Sequence, residues 1–380
     1  MSVPLSLYVH MPWCVRKCPY CDFNSHALRH PTDPLPESAY GGALIRDLEH
    51  ALPLVWGRSV SSVFFGGGTP SLFSATAIGD ILQAVRARLR LLPGAEVTLE
   101  ANPGSADSAR FAGYRSAGIT RLSVGVQTFH DTHLRSLGRI HDSLQARRAV
   151  ELALESFEHV NLDLMYGLEG QTLQEACLDL EQAIELDPGH ISLYQLTIEP
   201  NTFFAHQPPR LPDDDSIWEM QQALHALLAR AGYERVEVSA FARRGHACLH
   251  NVNYWEFGDY LGIGAGAHSK LTLPERGVIR QTCLRTPADY LESVGSDAHR
   301  KTSPVAAEQL PFEFMLNAMR LVEGVPVSLY AERTGRPTED LLEGLSRARQ
   351  RGLIEEVRGR MRPTPRGLDF LNDLQSIFLH

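Results

Sequence analysis

Leu5-Ser6-Leu7-Tyr8-Val9-His10-Met11-Pro12-Trp13-Cys14-Val15-Arg16-Lys17-Cys18-Pro19-Tyr20-Cys21 is the stretch on which the reading of this chain turns. Its first six residues are mostly apolar and the run is short enough for a buried strand. Directly after it come three cysteines within eight residues, Cys14, Cys18 and Cys21. Three thiolates on one tight loop can hold three irons of a [4Fe–4S] cluster and leave the fourth iron open to a ligand. Two other arrangements use the same residues. A Cys3His zinc site could be completed by His10 or His26, and Cys18-Pro19-Tyr20-Cys21 could be a dithiol redox pair. The spacing and the position of the loop after a first strand favour the cluster.

Working outward, five more stretches read as buried strands ending in polar or glycine-bearing loops: Val60 to Phe65, Glu96 to Glu100, Arg121 to Val126, His159 to Met165 and His190 to Leu196. Helix-length segments separate them. In one, Thr172 and Glu175 form a capping box and Asp187-Pro188-Gly189 ends the helix at Leu186. Strand–helix–strand repeats of this kind build right-handed crossovers and a parallel sheet. Six units predict an α/β fold, an incomplete (β/α)6 barrel. Polar residues gather at the carboxyl end of every strand, where such folds bind ligands. They include His10 with the cysteines, Gly66-Gly67-Gly68-Thr69, Glu100-Ala101-Asn102-Pro103, Gln127, Asp163, and Tyr194-Gln195.

Beyond about residue 200 the pattern changes. A proline-studded connection leads to a helix capped by Ser216 with Glu219, a strand from Arg235 to Phe241, and a loop containing His250-Asn251-Val252-Asn253-Tyr254-Trp255. From about residue 303 come helices, a short β-wing around Gly352 to Thr364, and a last helix, the order of a winged-helix-like domain. The expected division is 1–200 for the barrel, 201–302 for a bridging region and 303–380 for the C-terminal domain.

Composition limits the function. The chain has 36 basic and 45 acidic residues, a formal net charge of -9, which argues against a main task of gripping nucleic acid. Residues 301–380 carry 11 basic and 11 acidic residues, so the arginines near the wing read as a solvated face and no nucleic-acid partner is expected. No apolar run reaches the ~18–20 residues that span a bilayer, and the start lacks the features of a signal peptide. A cytoplasmic location is expected. Cysteine use in such a compartment points to metal or catalysis rather than disulfides.

Cys-x3-Cys-x2-Cys with Tyr20 before the last cysteine, on a partial barrel, resembles the radical S-adenosylmethionine (SAM) superfamily. Tyr8 to Cys14, Phe64 to Ser71, Glu100 to Pro103, Ser123 to Thr128 and Asn161 to Leu168 are similar to the oxygen-independent coproporphyrinogen III oxidase group, as is the C-terminal domain. The resemblance implies a [4Fe–4S] cluster on Cys14, Cys18 and Cys21, and SAM at the open iron. Tyr8, Tyr20, Gly67, Gly68, Thr69, Glu100, Gln127, Arg139 and Asp163 would line the SAM pocket.

Two departures separate the chain from the oxidases proper. Those carry another cysteine two residues beyond the third, where Phe23 stands here, and an amino-terminal arm that has no counterpart before Tyr8. Both features, with His250-Asn251-x-x-Tyr254-Trp255, resemble the heme-chaperone branch of the group. That branch implies heme as cargo, delivery to a respiratory hemoprotein client at the membrane, and a reductant such as flavodoxin or ferredoxin; a homodimer is left open. Coproporphyrinogen decarboxylation is the alternative activity and RNA modification a third. For His250 an imidazole offers an axial ligand to heme iron, and Asn251, Tyr254 and Trp255 would complete the heme site. The same residues also suit a turn with two aromatic side chains buried beneath it.

Overall fold

Short apolar strands alternating with amphipathic helices bury one face each, and the sheet they form is the one this pattern demands. The computed structural model describes residues 3–30 and 32–379. Six strands occupy the expected places: β1 (Leu5–Met11), β2 (Ser59–Gly67), β3 (Arg90–Ala101), β4 (Arg121–Gln127), β5 (His159–Tyr166) and β6 (Gly189–Gln195). They pair in parallel in chain order. The crossover helix Leu173–Leu186 carries the Thr172–Glu175 capping box and stops where Asp187 turns left-handed at φ 52°. Inward side chains such as Leu7, Val9, Val63, Leu99, Leu122 and Leu162 meet the helices in one continuous core.

Three elements differ from expectation. The single strand expected over Arg235 to Phe241 is a hairpin, β7 (Glu234–Glu237) and β8 (Ala240–Ala242). Pairing of β8 with β6 forces the reversal, since Leu193 N–H donates to the Ser239 carbonyl at 2.7 Å. The helix Asp214–Arg230 is capped by Asp213, whose Oδ1 accepts the Ser216 N–H at 2.8 Å; Ser216 therefore lies inside the helix rather than at its cap. The His250 to Trp255 segment is not a loop but the short helix Leu249–Trp255.

A seventh parallel strand, β9 (Asp259–Ile263), lies against the outer edge of β1. Its five residues include a glycine, so its apolar pattern is too short to read in isolation. From it β10 (His268–Leu273), β11 (Gly277–Cys283) and β12 (Arg300–Pro304) run antiparallel. The full order is β12-β11-β10-β9-β1-β2-β3-β4-β5-β6-β8-β7, so segment 201–302 supplies both flanks of the barrel sheet.

The C-terminal unit has its own core, with Phe314, Met315, Tyr330, Leu345, Met361 and Phe378 around the three-stranded wing. Phe257 and Val278 reach into that core from the sheet side. Among the described residues no helix is long and apolar enough to cross a membrane.

Candidate functional site

The cysteine loop is laced to the end of β2 by backbone bonds. Gly68 N–H donates to the Met11 carbonyl and Thr69 N–H to the Trp13 carbonyl, both at 2.8 Å. Approach this close needs glycine. A Cβ on Gly68 would stand 2.6 Å from the Trp13 carbonyl oxygen, and Gly67, at φ +118°, lies against the His10 ring.

Each sulfur has a polar neighbour. Thr69 Oγ1 donates to Cys14 Sγ at 3.4 Å, Ser25 Oγ lies 3.9 Å from Cys21 Sγ, and Arg139 Nη1 reaches to 3.7 Å from Cys18 Sγ. Burial raises the Cys14 and Cys21 thiols above their ordinary range, a bias that a cationic metal centre reverses.

The donor set discriminates between metals. The three sulfurs do not all fall within 4.8 Å of one another, whereas thiolates on one tetrahedral zinc at ~2.3 Å lie about 3.8 Å apart. His10 has no free ring nitrogen with which to complete a zinc site, and His26 keeps only Nδ1. His10 Nε2 donates to the Asn24 carbonyl at 2.9 Å while Nδ1 accepts the Tyr8 hydroxyl, and His26 Nε2 is bonded to the Arg285 carbonyl. All six cysteines are free thiols. A cluster, wider than a single ion, fits what the residues present.

The sulfurs open onto a cavity of about 490 Å³ at the carboxyl rim of the sheet. Tyr20, Gly67, Gly68, Thr69, Glu100, Gln127, Arg139 and Asp163 all line it. Tyr8 does not. Its hydroxyl is taken by His10 and its ring stacks on Phe64 at 5.9 Å, so it supports the wall from behind. Gln127 reaches the cavity through a bulge against β5 and a left-handed φ of 72°. Arg139 is anchored on the Gly125 carbonyl at 2.6 Å and keeps a buried Nε with no partner, a spare donor for an anionic group.

Two carboxyls face the same space. Burial, with Asp163 nearby, pushes Glu100 up to about 8 although it accepts the Gly67 N–H at 3.0 Å. Burial also raises Asp163, against hydrogen bonds from Asn161 and Ser123. Hydroxyl donors entering the cavity would favour the ionised forms of both, which suits a ribose.

Further lining residues went unread in the sequence, among them Thr98, Arg121, Ser123, Asn161 and Ser192. Their signal is a polar residue at every second position of an otherwise apolar strand, as in Arg121–Ser123 and Asn161–Asp163. They form a connected floor. Asn161 Nδ2 donates to Ser123 Oγ at 2.8 Å, and Asn161 Oδ1 accepts from His190 and Ser192.

The helix Leu249–Trp255 closes this floor. His250 and Asn251 line the cavity, and Tyr254 and Trp255 are not among its lining residues. Tyr254 packs edge-on to Tyr260 at 4.7 Å, and Trp255 lies under the Arg320 guanidinium against the C-terminal core. His250 and Tyr254, like Asn251 and Trp255, share a helix face one turn apart, and at that further turn Tyr260 and the Arg320 guanidinium take up the two aromatic rings. Asn253 pins the helix to Ser6 Oγ at 2.9 Å and to the Asp259 carbonyl at 3.0 Å.

One other compact set of metal-ligating side chains occurs among the described residues, Asp47, Cys283 and His299. Asp47 already accepts from His299, Arg300, Tyr290 and the Gly264 N–H. With a guanidinium on the carboxylate, the set is a satisfied structural network and not a cation site.

A partial parallel barrel with three cysteines on its first loop, facing a polar cavity at the strand ends, defines a radical SAM protein. The Radical SAM superfamily model matches residues 8–182 and the HemN C-terminal domain model residues 305–370. The solved coproporphyrinogen III oxidase (HemN) of Escherichia coli superposes with a TM-score of 0.82, at 24% identity, over 99% of this chain and 90% of that one. The chain belongs to the HemW family. It is 47% identical to the heme chaperone HemW of Escherichia coli strain K12 and 47% identical to that of Haemophilus influenzae, each match covering 99% of this chain and 98% of the relative.

Proposed function

We propose that this protein binds heme and hands it to a hemoprotein client, using a radical SAM site that the chain retains. The observation that carries the reading is identity of 47% with curated heme chaperones along 99% of the chain, with every cysteine of the cluster loop facing one cavity. When bound, a [4Fe–4S] cluster with SAM supplies one-electron reductive chemistry. Cys14, Cys18 and Cys21 would hold that cluster. Arg139 offers its unpartnered Nε to the SAM carboxylate, Glu100 and Asp163 accept ribose hydroxyls, and Gly67 with Gly68 lets the backbone approach the ligand. His250 is the iron ligand this reading names, with Asn251 beside it. The division into barrel (1–200), bridging region (201–302) and C-terminal domain (303–380) serves the same reading. A respiratory client and a reductant such as flavodoxin or ferredoxin complete it.

Phe23 supports the chaperone over the oxidase. It is exposed at the cavity mouth, where the oxidase group is expected to carry a further thiol. The test uses one sample reconstituted without oxygen, titrated with heme and assayed in parallel with coproporphyrinogen, SAM and reductant. Saturable heme binding without vinyl product is expected. Turnover to a divinyl product would make the oxidase the correct reading, and absence of saturable heme binding would remove the chaperone.

A further inference from the structure

We propose that Glu96 is the positioning residue that presents His250 as an iron ligand, an inference that rests on the heme-binding reading above. His250 sits on the helix that closes the cavity floor, and its side chain is almost wholly buried. Its Nδ1 lies 2.8 Å from Glu96 Oε1, and its backbone N–H donates to the same oxygen at 3.2 Å. The other oxygen, Oε2, accepts Arg121 Nε at 2.7 Å. Arg121 in turn donates through Nη2 to the carbonyls of His246 and Ala247, at 3.0 and 3.1 Å, fixing the chain that leads into the helix.

Held by a guanidinium on one side, Glu96 is a carboxylate and can only accept hydrogen bonds. The shared proton of the pair therefore resides on His250 Nδ1. In the neutral ring this leaves the lone pair on Nε2, which has no hydrogen-bond partner among the described residues while the ring lines the cavity. The Phe64 ring, 4.4 Å away between centroids, fixes the imidazole plane from one face. Histidines that ligate metals commonly donate their other N–H to a carboxylate, which sets the tautomer and makes the free nitrogen more basic. Glu96 and His250 reproduce that pair on strand and helix segments 154 residues apart.

The experiment uses the full chain as wild type, H250A, E96Q and E96D, each with its iron–sulfur content measured as a control on folding. In the heme-free wild type, imidazole ¹⁵N shifts should report His250 protonated on Nδ1; protonation on Nε2 alone overturns the proposal without any variant. With heme bound, H250A should lose the iron–histidine stretch. E96Q should keep heme but shift that stretch to lower frequency and raise the heme reduction potential, with E96D restoring both toward wild type. An unchanged heme spectrum in H250A would sink the assignment of His250 and this proposal with it. Loss in H250A with an unchanged stretch and potential in E96Q would overturn the role of Glu96 alone and leave the heme reading standing.

Discussion

Arg139 Nη1 lies 3.7 Å from Cys18 Sγ, and Nη2 of the same guanidinium donates to the Gly125 carbonyl at 2.6 Å. One cation thus touches the cysteine loop and the bulge that turns Gln127 into the cavity. In R139A the cluster should still assemble on its three cysteines, while SAM affinity falls by about 2–5 kcal/mol, as for loss of one partner of a buried charge pair. Calorimetric titration of SAM into reconstituted protein measures this. Unchanged affinity would show that Arg139 has no part in the pocket.

Gly68 separates a packing effect from a chemical one. A methyl there meets the carbonyls of Trp13 and Met11 at 2.6 and 2.9 Å, both backbone atoms that cannot swing aside. G68A should lower stability by about 1–3 kcal/mol, typical of overpacking. It should also reduce iron incorporation, because the displaced carbonyls belong to the cysteine loop. Thermal denaturation and iron analysis of the same preparation read both effects.

Glu100 sets a pH dependence. Its carboxyl is pushed up to about 8 by burial, from an ordinary value near 4.5. Between those values the folded protein holds a proton that the unfolded chain has released, so stability falls as pH rises through this window. The cofactor-free protein should therefore melt lower at pH 8 than at pH 5, and E100Q should flatten that slope. A slope unaltered by E100Q would place the titration elsewhere.

Trp255 tests the direction of the short floor helix. Its indole packs against Arg320 and the C-terminal core, with centroid-to-guanidinium separation of 4.3 Å. W255A should destabilise the protein by less than the roughly 3–5 kcal/mol of a fully buried Trp→Ala change. The spectrum of bound heme should stay as in wild type. A shifted heme spectrum with a native fold would return Trp255 to the heme site.

Much of the fold was legible because it is written in short windows. Apolar runs of five to seven residues marked β1 to β6, and Thr172 with Glu175 marked a helix start, since both signals depend only on neighbours along the chain. β9 escaped because five residues with a glycine have too little pattern, and its identity as a strand comes from lying beside β1. The floor helix escaped because His250, Asn251 and Asn253 read as turn residues until Ser6, Glu96 and the Asp259 carbonyl supply their partners.

By itself the sequence determined the three-cysteine loop, the glycine turn that meets it and the family they belong to, because spacing over a few residues is enough to shape a loop. Only the tertiary structure decided what surrounds that loop. Tyr8, adjacent in sequence, lies behind the wall, while Arg139 and His250, remote in sequence, face the cavity. The physical reason is that strand order brings distant residues to one end of the sheet, while Phe64 and His10, on the same inner face, take up the Tyr8 side chain.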